Sequence, residues 1–373
     1  MRLSSILSVL QAIAPERLAE PWDHVGLHVG DPARAVSRAM LCIDLTEPVL
    51  GEAASAKAGL IVAYHPPIFD ALSAVTTLEL KSRIILRAAE RKIAIHSPHT
   101  ALDAAEGGVN DWLADGLGAG GRRPIRPATE AAEVYKLVTF VPADAVDVVR
   151  CALSAGGAGA IGDYSQCSFS SAGEGTFLGG ASTRPAIGRA GRLERVAELR
   201  LEMVCPRECV RQVVAALRRV HPYEEPAFDL YPLVDAPAAD CTSGGGRIIT
   251  LDRPVSLSTL VRRIKAHLGV KHVEVAEPAG LGAVRRIGLC AGAGGSMLTE
   301  AEGIGDGIDV FFTGEMRHHD VLAARQRGVA VILAGHTQTE RPFLPVLARR
   351  LKRQTPGVRW SVSRADRAPS ALW

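Results

Sequence analysis

Histidine and carboxylate residues of the kind that gather a metal ion recur at four places in the chain, each directly after an apolar run that reads as a β-strand. Open α/β sheets place their ligands at such strand ends. In YHPPIF, His65 follows the run Gly59–Tyr64 and precedes two prolines, which cannot continue a strand and fix the turn. A loop histidine satisfied by its neighbours would read the same. In HSPHTALDAAEGGVND, His96, His99 and Asp103 are dense enough to suit metal binding, although Asp103 equally suits the cap of a helix containing Val109–Leu117. GHTQTERP places His336 and Glu340 four apart, so that a helix beginning at Gly335 would aim both at one point. An imidazole and a carboxylate so arranged suit a divalent transition ion, and the same spacing fits an ordinary helix start with a surface glutamate. TGEMRHHD adds Glu315, His318, His319 and Asp320 at a helix start, several of them expected behind the ligands or facing solvent.

Other motifs carry less. The turn AGAGGS, Ala291–Ser296, exposes backbone N–H groups that suit a phosphate or carboxylate. It lacks the lysine of a P-loop and is not GxGxxG, so close backbone packing is its alternative role. HPYEEP, His221–Pro226, has the polarity of a site, and its two prolines also fit a rigid turn. No GxSxG elbow is present. Seven cysteines, spread singly, form neither a disulfide framework nor a CxxC zinc motif. That pattern implies a reducing cytoplasm and leaves any metal to histidine and carboxylate.

The elements that must position these residues divide the 373-residue chain into pieces. Gly-rich stretches at Gly116–Pro124 and Asp235–Arg247 read as linkers. The resulting segments are 1–126, 127–239 and 240–373. In the first, an amphipathic helix with Leu3, Ile6, Leu7, Leu10 and Ile13 on one face precedes strand runs at Met40–Leu45, Gly59–Tyr64 and Lys92–Ser97, with a helix near Leu78–Arg91. In the last, strands at Arg285–Cys290, Gly307–Thr313 and Val329–Ala334 each precede a helical pattern. This alternation predicts a largely parallel α/β sheet whose two halves belong to one unit. The middle segment offers Val134–Pro142, a helix from about 144 to 155, a Gly/Ser-rich stretch, Leu199–Pro206 and a helix from about 209 to 220. It reads as an inserted strand-helix-strand-helix module.

Composition narrows the function. Apolar residues make up 47% and charged residues 22%, enough for a sizeable core, which excludes wholesale disorder. The net charge of +3 comes from 43 basic and 40 acidic residues with no like-charged block, which argues against a nucleic-acid partner. The longest stretches free of charged residues, Leu3–Pro15 and Ile287–Thr299, hold 13 residues each. A membrane span needs roughly 18 or more, so no membrane partner is expected.

Taken together and in order, these runs resemble the Nif-three-like dinuclear-metal-centre hexameric proteins, often labelled the GTP cyclohydrolase I type 2 family. The matching runs are WDHVGLHVGD, YHPPIF, HTALDAAEGGVND, FFTGEMRHHD and GHTQTERP, with YKLVTFVP and HPYEEPAFDLYPL between them. The middle runs resemble the long form, in which a ferredoxin-like module similar to PII and CutA is inserted into the metal-binding α/β domain. The resemblance implies that His65, Asp103, His336 and Glu340 are metal ligands, with carboxylates bridging two ions, in a homohexamer whose sites face an internal cavity. Two positions depart from the pattern. His24 stands where the family has asparagine, and Tyr64 stands where it has the first of two paired histidines. A phenol with an ordinary pKa of about 10 must lose its proton to be a good ligand. Tyr64 should therefore hold the second ion, shared with His336 and Glu340, more weakly than His65, Asp103 and Glu340 hold the first.

The sequence thus predicts a cytoplasmic protein carrying one or two divalent cations per chain, Zn, Mn or Fe. A metal-activated water would act on a nucleotide or related phosphorylated compound, with His99 as proton shuttle. The alternative from a different class is a non-catalytic metal-binding assembly or regulatory protein, whose inserted module senses a ligand or gates the cavity.

Overall fold

The computed structural model describes residues 1–128, 134–233, 241–305 and 307–370. The chain forms two compact units, Met1–Ala128 with Pro237–Trp373, and Thr129–Ala236. The fold is α/β, made of the N- and C-terminal segments, with a smaller α+β module inserted between them.

The larger unit contains two sheets. The first runs in the order Gly26–Val29, Ala94–Ser97, Leu60–Ala63, Arg38–Cys42, Arg359–Val362, with every neighbour parallel except the first pair. The second runs Glu274–Ala276, Ala330–Leu333, Val310–Thr313, Val284–Cys290, Arg247–Val255, Gly120–Arg123, and its three central strands are parallel. Strands in the middle of such sheets are covered on both faces, so Leu60–Ala63 and Val310–Thr313 are buried at every position and apolar except for Thr313.

Each half of the unit completes the other's sheet. The last strand of the chain, Arg359–Val362, pairs with Arg38–Cys42, and Gly120–Arg123 pairs with Arg247–Val255. One hydrophobic core runs through both halves, joining Leu41, Val62 and Tyr64 to Leu289, Phe312 and Ile332. The first helix, Leu3–Ile13, buries Leu3, Ile6, Leu10 and Ile13, as its spacing predicts.

Two polar contacts lock the halves together. Arg247 is 1% exposed. Its Nε donates to Asp111 Oδ1 at 2.6 Å, and its terminal nitrogens donate to the carbonyls of Gly244, Gly246 and Ala105. Those bonds satisfy carbonyl oxygen at the end of helix His99–Ala104, which has no partner within the helix. Asn110, fully buried, donates from Nδ2 to the Asp103 carbonyl and accepts from the Ala291 N–H.

The inserted module differs from its sequence reading. Within the Gly/Ser-rich stretch, where the sequence pattern marks no element, Phe169–Leu178 forms a ten-residue strand. It is an edge strand, largely exposed along its length, so it lacks the alternating apolar pattern that marks a half-buried strand. Its partner begins earlier than expected, at Leu193, and Phe228–Pro232 adds a fourth strand. The result is an antiparallel sheet in the order Phe228–Pro232, Val134–Val141, Leu193–Pro206, Phe169–Leu178. Helices Val146–Ala155 and Val210–Val220 supply the core with Val149, Leu153, Val213 and Leu217. This strand-helix-strand-strand-helix-strand order is ferredoxin-like.

Replacing Arg247 by methionine keeps the bulk but strands the Asp111 carboxylate and several carbonyls. Breaking a buried pair in this way costs about 3–5 kcal/mol. Denaturant titration of wild type and Arg247→Met should show a loss of that size. A loss under about 1 kcal/mol, the scale of an exposed pair, would show that the contact does not hold the halves together.

Candidate metal centre

Loops at the C-terminal ends of parallel strands from both sheets converge on one point. His65 follows Leu60–Ala63, and Pro66 and Pro67 turn the chain away. His336 and Glu340 follow Ala330–Leu333. Residues 336–340 form successive turns rather than the helix expected to begin at Gly335, and the helix proper starts at Leu344. Those turns still direct both side chains to the same place, with His336 Nε2 lying 3.3 Å from Glu340 Oε1. His65 Nε2 lies 3.4 Å from the other oxygen, Glu340 Oε2, and the two imidazole centroids are 5.4 Å apart. Ligand atoms of His65, His336 and Glu340 all fall within 4.8 Å of one another, so the three side chains could hold one ion.

Glycine makes room for this group. At Gly292, in the AGAGGS turn, an added Cβ would sit 2.6 Å from Glu340 Oε1 and 3.1 Å from His336 Nε2. Its φ of +60° also favours glycine. Gly292 N–H donates to Thr339 Oγ1 at 2.9 Å, which fixes the turns carrying Glu340. Close packing is therefore what this turn does.

A second tier of carboxylates orients the imidazoles. Asp44 Oδ1 lies 2.9 Å from His65 Nδ1, and Glu315 Oε1 lies 3.0 Å from His336 Nδ1. Each contact leaves Nε2 aimed at the centre, the arrangement common behind metal-ligating histidines. Asp44 follows Arg38–Cys42, but the sequence run Met40–Leu45 places it inside the strand, so the strand-end rule that selects its neighbours passes over it. It is steadied in turn by Asp366, whose Oδ2 accepts the Ile43 N–H at 2.7 Å and which pairs with Arg341.

Charge is concentrated here. Burial opposes protonation of His65, but its contacts with Asp44 and Glu340 outweigh that and push its pKa up to about 10. Contact with Glu340, partly offset by burial, pushes His336 up to about 9. Glu340 is 3% exposed, yet the two imidazoles overcome the effect of burial and hold its carboxyl below the usual range. Its Oε2 makes no hydrogen bond.

Asp103 and Tyr64 stand beside this group and bond to each other. The Tyr64 hydroxyl, in a side chain 2% exposed, donates to Asp103 Oδ1. Burial, reinforced by Asp103 and Glu340, drives the phenol well above its ordinary pKa, and burial raises Asp103 to about 6. His99 packs edge-on, its ring 5.8 Å from Tyr64 and 5.5 Å from His65. Its Nδ1 lies 2.8 Å from Asp23 Oδ1. Asp23 belongs to the WDHVGL run, where no strand or spacing marked it. His99 has a φ of +26°, which side-chain-bearing residues rarely adopt and which occurs preferentially at functional sites.

The remaining sequence candidates lie outside the group. His96 is buried in its strand, with Nδ1 unpaired and its pKa pushed down to about 4 by burial, and is therefore neutral. His318 and His319 are exposed and pack on each other at 5.5 Å. Among the described residues, no helix is long and apolar enough to cross a membrane.

Known proteins share this architecture and sequence. The profile of the Duf34/NIF3 (NGG1p interacting factor 3) family matches residues 1–369. A Mycobacterium tuberculosis protein named GTP cyclohydrolase 1 type 2 homolog is 37% identical over 349 residues, 92% of this chain and 89% of its own. Rat NIF3-like protein 1 is 38% identical over 357 residues, 92% of this chain and 85% of its own. Among solved structures, a Bacillus cereus protein related to NIF3 superposes with a TM-score of 0.65 at 33% identity, covering 100% of this chain and 99% of its own. A Staphylococcus aureus protein gives a TM-score of 0.73 at 24% identity over 100% and 99% of the two chains, which speaks to fold alone.

With pKa values of about 10 and about 9, both imidazoles carry protons at neutral pH in the metal-free protein. Their folded values lie above the unfolded one of about 6.5, so the stability they contribute is complete below pH 6.5 and fades as pH rises through 9 to 10. A divalent ion that takes both Nε2 atoms must expel both protons. Calorimetry near pH 7.5 in buffers of different ionisation enthalpy should count about two protons released per chain, with affinity rising about a hundredfold per pH unit. Binding without proton release would show that the imidazoles are not its ligands.

Proposed function

Because the chain belongs to the Duf34/NIF3 family, we propose that it is a divalent-metal-dependent hydrolase acting on a nucleotide or a related phosphorylated compound, with His65, His336 and Glu340 as the metal ligands. The observation that carries this reading is the convergence of two carboxylate-backed imidazoles on the two oxygens of one buried glutamate, 3.4 and 3.3 Å away. A buried carboxylate oxygen with no hydrogen bond, beside two oriented imidazole nitrogens, is a donor set that fits Zn, Mn or Fe. Such an ion supplies Lewis acidity and makes water a usable nucleophile near neutral pH.

The chain's own groups have defined tasks in this reading. Asp44 and Glu315 hold His65 and His336 in the tautomer that presents Nε2. Asp23 does the same for His99, whose Nε2 is then free to take a proton from the attacking water and return it to the leaving group. Asp103 would join His65 and Glu340 on the first ion, as the motif resemblance implies, and Tyr64, whose hydroxyl is bonded to Asp103 Oδ1, would weaken a second ion shared with His336 and Glu340. Segments 1–126 and 240–373 form the metal-binding domain, and 127–239 the inserted module. The motif resemblance also supports a homohexamer, and the singly spread cysteines a cytoplasmic location.

Relatives that carry the name GTP cyclohydrolase 1 type 2 homolog make guanine nucleotides the first probes. Metal-reconstituted protein incubated with a panel of nucleotides and phosphoesters should form product that disappears on chelation and in His99→Ala. Ligand-induced stabilisation with no product from any compound would instead support the non-catalytic regulatory reading. Because burial keeps the Tyr64 phenol protonated, dialysed wild type should retain clearly fewer than two ions per chain, and Tyr64→His should retain more. Equal retention of two ions by both proteins, measured by elemental analysis, would contradict this account of Tyr64.

A further inference from the structure

The HPYEEP motif plays no part in the metal centre, yet it lines a cavity of about 800 Å³ within the inserted module. Side chains on the strand Leu193–Pro206 alternate between the faces of the module's sheet. Leu201 and Met203 enter the core beneath the helices, whereas Glu198 and Arg200 share the opposite face. On that face they meet their neighbours across the ladders, Gly173 opposite Glu198 and both Ser171 and Phe140 opposite Arg200. The cavity lies there, walled by Phe140, Phe177, Pro185 and Ile187, with Glu198 and Tyr223 among its polar groups. Its size and its apolar walls match small-molecule sites, and its charged groups are mostly acidic.

Two features describe what would fit. The first is charge. Glu174, Glu198, Glu224 and Glu225 all line the cavity, and the one cation among its described lining residues, Arg200, donates from Nε to Glu202, which is outside the lining. Glu174 is paired with Arg195, and Glu224 accepts the Arg184 N–H, but Glu198 has no cationic partner among the described residues. Its carboxylate lies over bare backbone, because a Cβ on Gly175 would come within 2.1 Å of Glu198 Oε2. The second is the Tyr223 hydroxyl, which is buried and faces the Glu198 carboxylate without reaching full hydrogen-bond geometry to it. A buried hydroxyl so poorly bonded carries a cost that a bound ligand can relieve.

We propose that this cavity binds a small organic cation, a protonated amine carried on an apolar body, with the ammonium at Glu198 and Tyr223 and the body against Phe140, Phe177 and Ile187. The site lies wholly within the module and does not depend on the metal reading. Its test uses the full chain stripped of metal. Phenethylammonium, 2-phenylethanol and 3-phenylpropanoate share one apolar body and differ in charge, and each is titrated by calorimetry to millimolar concentration. The ammonium should bind once per chain, at least about tenfold tighter than the alcohol, and the carboxylate should not bind. Glu198→Gln should abolish the preference while leaving the weak binding of the alcohol. Tyr223→Phe, which keeps the ring, should weaken the ammonium and serves as the test if Glu198→Gln does not fold. Equal binding of the three probes, no binding of the ammonium, or a preference unchanged in the folded variants would overturn the proposal.

Discussion

The structure depends on the fact that the candidate metal-binding group cannot be built from either half of the chain alone. His65 comes from the first half and His336 and Glu340 from the second, so their convergence rests on whatever fixes one half against the other. Strand exchange does much of this, since each half contributes a strand to the other's sheet. Buried polar groups then set the register more finely. Asn110 ties the carbonyl of Asp103 to the backbone of the turn that carries Gly292, and Arg247 ties the end of the same helix to the opposite sheet. Satisfied buried networks of this kind specify one arrangement, because any slippage leaves several donors and acceptors unpaired. A site that needs placement within fractions of an ångström benefits from that intolerance.

Electrostatics supplies the other half of the account. The three candidate ligands sit among Asp44, Asp103 and Glu315, and without a cation the centre is held together by protons on His65 and His336. A divalent ion would substitute for that positive charge in a setting that already provides it. Glu340 joins the two imidazoles, and Gly292 lets the backbone approach close enough to shield its carboxylate.

Much of the site was legible in the sequence because strand-end residues announce themselves. An apolar run that stops at His65-Pro66-Pro67, or at Gly335-His336, marks a polar residue held at the edge of a covered sheet. The convergence of His336 and Glu340 was legible as well, although the local structure is a series of turns and not a helix. Side chains four apart meet in either case. Less visible were the groups that act through others. Asp23 lies in an irregular loop, and its role depends on His99 folding back over more than seventy residues of chain. Gly292 reads as a generic turn glycine until the opposing carboxylate is seen. The edge strand Phe169–Leu178 escaped notice for a different reason. It buries neither face, so hydrophobic periodicity, the main signal for a strand, is absent there.

The central claim is that His65, His336 and Glu340 bind one ion together, and X-ray absorption spectroscopy of the zinc-loaded protein tests it most directly. The account predicts imidazole scattering from two histidines at about 2.0–2.1 Å together with carboxylate oxygen at about 2.0–2.2 Å, and loss of one imidazole in His65→Ala and in His336→Ala alike. A spectrum showing only oxygen ligands, or one that neither substitution changes, would contradict it.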